Sequence, residues 1–573
     1  MIFVPKKLNF RFTRCTVFLI ATLVFTACKT KPKEPQIGLI AQKAMVVSAR
    51  EEASRIGVDI MKQGGNVFDA MIATDLALNV CYPYAGSLGG GGFMVYRTKD
   101  GEYGALDYRE MAPSAATQDM FLDEEGNVIP DLSTEGSLAI GVPGGLAGMF
   151  AVHEKLGSLP LKTILQPVID LARNGYVVTE KQAKRLCEKR DVIIKVNGEE
   201  SFYSKKINES SVVKNIALAQ MLERIAVNGK NEFYKGESGQ KLVDHLRAKG
   251  GIITMKDLAN YEAKWREPIS FEYDNLKIIS MSPPSSGGVC LAQIMQMIEP
   301  YDISQYGHNS LESIQLLSEA ERRAYADRSF YLGDPDFVTI PTDTLISEAY
   351  GKNRMESFSW DKATLSSDMS HGIVPSYESM ETTHFSAVDQ YGNAIAVTVT
   401  LNGAYGSKVF VDELGIFLNN EMDDFSSKPG VPNMFGLIGA EANKIEPKKR
   451  MLSSMTPTLV EKEGEFWMTV GTPGGSTIIT SVLQTILNVH EYGMSMQDAV
   501  NAPRFHHQWL PDEILLEPHS FDKEIIKVLE AKGFPTNQES APIIGKVDGI
   551  LVLSDGTLEG GADKRGDDTA VGF

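Results

Sequence analysis

The stretch Glu381-Thr382-Thr383-His384-Phe385-Ser386-Ala387-Val388-Asp389 constrains this 573-residue chain more than any other. Before it, Gly351 to Met380 is polar, rich in Ser, Asp, Lys and Met, interrupted by a proline and without clear apolar periodicity, which predicts an exposed loop. After it, Phe385 to Val388 and Ala394 to Thr400 are apolar, β-branched runs separated by Asp389-Gln390-Tyr391-Gly392-Asn393, a hairpin signal. Two hydroxyl residues therefore stand where a loop open to cleavage meets a buried strand. Threonine favours strands for conformational reasons alone, so a plain strand start is one reading of Thr382-Thr383.

The other reading is chemical. A cut between Glu381 and Thr382 gives Thr382 a free α-amino group beside its hydroxyl, with an unperturbed pKa of roughly 7.7–8.0, close to what general-base catalysis requires. Such a nucleophile carries its own base. His384 is then a strand residue and not the base, and Thr383 a neighbour with at most a supporting role.

Residues 1–27 read as an export signal and not as part of the fold. Lys6, Lys7, Arg11 and Arg14 precede the apolar run Cys15 to Ala27, which is too short to span a bilayer comfortably. The run ends Val24-Phe25-Thr26-Ala27-Cys28, which resembles a bacterial lipobox with Cys28 as the lipidated residue, although Phe25 replaces the usual Leu; secretion with a nearby cut is the alternative. Residues 28–37 read as a flexible tether. Removing the signal takes four basic and no acidic residues, moving the net charge from −18 to −22, which argues against a nucleic-acid partner. Cys81, Cys187 and Cys290 remain besides Cys28. Their odd number and wide spacing give neither a disulfide framework nor a metal cluster, and each reads as small apolar filler.

No internal linker or fixed-period repeat divides the rest, so it reads as one large globular unit. Ser48-Ala49-Arg50-Glu51 predicts a capping box for a helix that Gly64-Gly65 stops, and Asp69 to Cys81 predicts a buried helix. Ser87 to Tyr96 is a glycine run entering a strand, consistent with backbone packed against a site or another strand. Arg109 ends a short apolar run. A lone arginine is as a rule solvated, whereas its planar fork can also grip a carboxylate. Asn309 to Arg328 predicts a structural helix with Asn309 and Glu312 as a cap pair.

Beyond Thr382, polar and small residues are dense within strand-like sequence. Thr400 and Asn402 fall on one face by strand alternation. Leu418 to Ser426 is a polar cluster, either an exposed turn or a site for an ammonium group. Ser453 and Ser454 place two hydroxyls before a strand. Gly474 and Gly475 follow the strand Phe466 to Val470 and precede an apolar helix, where they form either a tight turn or an oxyanion hole.

Together with Gly64-Gly65-Asn66, Arg109-Glu110-Met111-Ala112-Pro113 and Pro283-Pro284-Ser285-Ser286-Gly287-Gly288, these motifs resemble the gamma-glutamyltranspeptidases, N-terminal nucleophile hydrolases, in order from about Gly38 to Phe573. The resemblance implies an α+β fold, a four-layer αββα sandwich formed jointly by residues 38–381 and 382–573 after self-cleavage at Glu381/Thr382. It implies Thr382 as nucleophile and Thr400 as its hydroxyl support. Arg109, Ser453 and Ser454 would hold the substrate α-carboxylate, Asn402, Glu421 and Asp424 the α-ammonium, and Gly474 and Gly475 the oxyanion. Residues 429–450 resemble a lid loop, with Phe435 where lidded bacterial relatives can carry a hydrogen-bonding tyrosine.

No cofactor, metal or nucleic acid is implied. The expected partners are a gamma-glutamyl donor, water or an amine acceptor, and the two pieces of one precursor; the expected location of the protein is the periplasm or the outer membrane. Two rivals are an acylase acting on glutaryl-type amides, against which Asp424 counts, and a noncatalytic surface lipoprotein. Serine-elbow and His-Glu-x-x-His spacings are absent from the sequence, so serine-hydrolase and zinc-protease readings lack support.

Overall fold

The computed structural model describes residues 1–3, 35–369, 382–428, 430–434, 436–540 and 543–573. Most of the expected export signal, Cys28, the cleavage-site residue Glu381, and Pro429 and Phe435 of the expected lid lie outside the described residues. Contacts divide the chain into Met1–Pro35 and Gln36–Phe573, and both large sheets belong to the second unit.

One seven-stranded sheet runs in the spatial order Leu39–Ala41, Leu558–Ala562, Asp548–Val552, Glu465–Gly471, Thr458–Lys462, Leu276–Ser280, Ile269–Tyr273. The other runs Thr569–Gly572, Met45–Ser48, Thr383–Val388, Ala394–Thr400, Gly91–Arg97, Tyr103–Asp107, Lys264–Arg266. Within both, neighbouring strands are antiparallel.

The pleat sorts side chains into layers. Met45, Val47, Phe93, Val95, Ala394 and Ala396 meet Ile279, Leu459, Ile550 and Leu558 between the sheets. Their alternates Val46, Met94, Ile395 and Val397 pack outward against helices Glu51–Lys62 and Val67–Cys81. On the far side, Ile278, Val460, Met468 and Val470 pack against helices Gly287–Ile298, Leu311–Tyr331 and Ile478–His490. The result is the α+β, four-layer αββα sandwich that the sequence implies.

Several local expectations change. Ser48 does not cap the first helix: its Oγ donates to Arg50 O at 3.1 Å and lies 2.7 Å from Ser54 Oγ, leaving Arg50 at the N-cap without a side-chain bond. The box forms one helix later, where Asn66 Oδ1 accepts from Phe68 and Asp69 N–H and Asp69 Oδ2 accepts from Asn66 N–H. The predicted helix from Asn309 runs Leu311–Tyr331 and is capped by Ser310, not by Asn309 and Glu312. The stretch from Gly351 is not one exposed loop, because helix Glu348–Arg354 enters it and Ser366 is buried, donating to Trp509 O at 2.7 Å. Cys81 and Cys290 are buried, whereas Cys187 is exposed and fills nothing.

Candidate active site

The hairpin loop at Asp389 to Asn393 sets the register of the site's central strand pair. Thr383 lies opposite Val399 and His384 opposite Thr398, so the same register brings Thr382, one residue before the strand, opposite Thr400. Opposed residues of an antiparallel pair have Cβ atoms about 4.5–5.5 Å apart, within reach of hydroxyl contact. Both threonines are buried and both line one cavity. Thr400 Oγ1 accepts from Asn402 N–H at 2.6 Å, which leaves its own hydrogen to donate elsewhere.

Asn402 joins Thr400 in the cavity by a different route from strand alternation. The strand ends at Thr400, and Asn402 turns with φ of 70°. Its Nδ2 donates to Asn420 O at 3.1 Å. The glycine run Gly89 to Gly92 packs against this turn: a Cβ at Gly90 would stand 2.1 Å from Thr400 O.

His384 is buried between the sheets, with Nδ1 2.9 Å from Thr398 Oγ1 and Nε2 3.1 Å from Ser386 Oγ. Burial pulls its pKa down to about 3. A neutral imidazole fixed by two hydroxyls agrees with a role in the strand.

Arg109 is 1% exposed, and the cluster Leu418 to Ser426, open to reading as an exposed turn, is instead buried beside it through the 3-10 turn Glu421–Asp424. Arg109 Nη1 lies 2.6 Å from Glu421 Oε2 and 3.5 Å from Glu110 Oε2, while Nη2 donates to Asp424 Oδ2. Burial pulls the guanidinium pKa down, but the surrounding carboxylates outweigh it and hold it above its usual value. Burial pushes the carboxyls up: Glu110 to about 8, Glu421 well above its usual range, and Asp424 in the same direction. Among the described residues, no hydrogen bond of good geometry reaches either oxygen of Glu421 or of Glu110.

Ser453 and Ser454 line the cavity, as Asp424 does. Ser453 Oγ accepts from Met455 N–H at 3.1 Å. Gly474 and Gly475 follow strand Glu465–Gly471 with φ of 145° and 55°, and Gly474 O accepts from Thr477 N–H and Oγ1 at 3.0 and 2.8 Å. Gly475 lines the cavity, with Gly474 next to it in the chain. Leu437, Leu452, Met455 and Ile478 supply the apolar wall.

Asn433, Met434 and Leu437, from the expected lid, approach the same site. Asn433 Nδ2 donates to Asp424 Oδ1 at 3.2 Å, Met434 N–H to Asp423 Oδ2 at 2.9 Å, and Leu437 N–H to Asn433 Oδ1 at 3.2 Å.

The sequence-expected residues thus converge. Thr382, Thr400, Arg109, Asn402, Asp424, Ser453, Ser454 and Gly475 share the cavity, with Glu421 behind Arg109. Arg328, from the helix that reads as purely structural, lines it too. Periodicity could not find Arg328, because Arg322, Arg323 and Arg328 look alike on one helix. Among the described residues, no group of three or more His, Cys, Asp or Glu is arranged to hold a metal.

Comparison with known proteins gives a concordant picture. The family model described as Gamma-glutamyltranspeptidase matches residues 53–573. The glutathione hydrolase proenzyme of Escherichia coli (strain K12) is 45% identical over 538 residues, covering 93% of this chain and 92% of that protein. The crystal structure of Helicobacter pylori gamma-glutamyltranspeptidase superposes with a TM-score of 0.56 at 42% identity, over 59% of this chain and 96% of that one. The cephalosporin acylase from Bacillus halodurans shares the fold, with a TM-score of 0.83 at 24% identity over 96% of this chain and 99% of that one.

Proposed function

The chain belongs to the gamma-glutamyltranspeptidase family and is an autoprocessing enzyme of gamma-glutamyl amide bonds; from that premise we propose that Thr382 is both the residue that cuts the precursor and the nucleophile of the mature enzyme. In the precursor, the Thr382 hydroxyl attacks the Glu381 carbonyl; an acyl shift to oxygen and hydrolysis of the ester divide the chain into 38–381 and 382–573. In the mature enzyme, the freed amine takes the hydroxyl proton as Oγ1 attacks the donor's gamma-carbonyl. The N–H groups of Gly474 and Gly475 receive the developing oxyanion, and Thr400 donates to Thr382. The amine then returns the proton to the leaving group, and water or an acceptor amine releases the glutamyl group.

The single observation that carries the substrate assignment is the pair of carboxyls beside Arg109: Glu421, buried with no hydrogen bond of good geometry to either oxygen, and Asp424, which lines the cavity. Glu421 and Asp424 lie where an ammonium, with three N–H donors, would satisfy them, and Arg109, Ser453 and Ser454 where a carboxylate would be met. A gamma-glutamyl donor presents both charges on one carbon. A glutaryl donor lacks the amine and would leave the acids unanswered. Residues 429–450 act as a lid, latched through Asn433 to Asp424. Export under the signal 1–27, with Cys28 lipidated, would put this chemistry outside the cytoplasm.

Asp424→Ala tests the assignment. Turnover of a gamma-glutamyl anilide is expected to fall about 100-fold, as when one partner of a buried charge pair is removed. A glutaryl anilide, which has no amine to hold, is expected to lose far less. Unchanged turnover of the gamma-glutamyl anilide would overturn the assignment. In the wild type, added dipeptide acceptor is expected to speed anilide release.

A further inference from the structure

Arg328 sits near the end of helix Leu311–Tyr331, 3% exposed, and its side chain reaches the serine end of the cavity. Its Nε donates to Ser286 Oγ at 2.9 Å and its Nη2 to Ser454 Oγ at 3.0 Å. Ser286 Oγ in turn donates to Ser453 O at 2.7 Å. One guanidinium therefore holds both serines of the pair, one by its hydroxyl and one through its carbonyl.

Two physical consequences follow. The first is polarity: a hydroxyl that accepts from a guanidinium N–H has its own hydrogen left to donate. Ser454, which lines the cavity, thereby keeps its hydroxyl hydrogen available to donate, as Ser453 does beside Met455 N–H. The second is charge. Arg109 is already matched by Glu421 and Asp424, with Glu110 3.5 Å away. Among the described residues Arg328 makes no ion pair within 4 Å; Asp424 attracts it only from further off. A buried carboxylate without a cation pays a large desolvation cost, and in this cavity the uncommitted cation is Arg328.

We propose that Arg328 is a positioning and specificity-determining residue for the donor's α-carboxylate: it orients the Ser454 hydroxyl toward that group and supplies the positive charge that Arg109 has already spent on its acids. The proposal rests on Arg109, Ser453 and Ser454 forming the carboxylate end of the site. It makes an acid at that end a requirement of the enzyme, separate from the amine requirement set by Glu421 and Asp424.

The test uses three anilides under single-turnover conditions, where a slow substrate still gives a rate: gamma-glutamyl, glutaryl, which lacks the amine, and 4-aminobutyryl, which lacks the α-carboxylate. Arg328→Met is expected to lower kcat/KM about 100-fold on the first two, chiefly through KM, and to leave the 4-aminobutyryl rate within about twofold. Arg328→Lys, which keeps the charge but not the fork, is expected to lose about tenfold on the same two substrates only.

Equal loss on all three substrates, or no loss on any, overturns the proposal. If Arg328→Met does not fold, judged by failure to divide into two pieces, the lysine variant decides by the same criterion. A wild-type enzyme that turns over the 4-aminobutyryl and gamma-glutamyl anilides equally well would instead remove the carboxylate site itself, a failure visible before any variant is made.

Discussion

Thr400 faces Thr382 across the hairpin, and in the proposed mechanism the peptide bond to Glu381 masks the amine that would serve Thr382 as its base. His384, two residues on, is tied to Thr398 and Ser386 and kept neutral by burial, so its own imidazole is not free to take that role. The sequence made Thr382 legible because a hydroxyl at a loop-to-strand boundary has a specific chemical use. Arg109 and Asp424 became legible only as members of a set, because an isolated charge gives no hint of burial. Arg328 was illegible, since its importance lies in what it touches across 126 residues of sequence, at Ser454.

Another buried group lies next to the glycine run. Asp75 accepts from Ser87 Oγ at 2.7 Å, and burial pushes its carboxyl up to about 7. The unfolded value is about 3.9. Between these values the folded chain binds more protons than the unfolded chain, so this residue's contribution to stability is lost as pH rises from about 4 to 7. Asp75→Asn keeps the shape and cannot ionise. It is expected to shrink the fall in Tm between pH 5 and pH 8; an unchanged fall would show that Asp75 does not titrate in this range.

Among the elements, the hairpin does most to assemble the site, and Asp389 holds it. Asp389 is 2% exposed and accepts from Tyr391 N–H, Asn393 N–H and Asn393 Nδ2 within the loop, and from Val67 N–H at the start of the buried helix Val67–Cys81. One carboxylate thus fixes the register that opposes Thr382 to Thr400 and anchors a helix of the outer layer. Asp389→Ala is expected to cost about 3 kcal/mol or more, since several buried donors lose a charged acceptor. It is expected to lower Tm and to slow division of the precursor. A variant with wild-type stability and division rate would contradict this account of the register.

Elements with strong local signals were readable in advance: the hairpin, the buried helix through Cys81, and the glycine pair after strand Glu465–Gly471. Expectations failed where tertiary partners overrode local pattern. Ser48 spends its hydroxyl on Arg50 and Ser54 instead of the helix start, Ser366 is drawn inward by Trp509, and the acids of Glu421–Asp424 are buried because Arg109 awaits them. Asn402 reaches the cavity through a left-handed turn that strand alternation does not contain.

At the scale of the molecule, each sheet mixes strands from before and after Thr382. Thr383–Val388 pairs with Met45–Ser48, and Ala394–Thr400 pairs with Gly91–Arg97. In the other sheet, Thr458–Lys462 pairs with Leu276–Ser280, and Leu39–Ala41 with Leu558–Ala562. Separating the two pieces would break both ladders and expose the core between the sheets, so cleavage frees an amine without dismantling the fold. The most direct test is the intact mass of the active, purified protein beside that of Thr382→Ala. The account predicts two components in the active protein, the smaller beginning at Thr382, and a single undivided, inactive chain for the variant. Full activity from an undivided wild-type chain, or a smaller component beginning at any other residue, would contradict it.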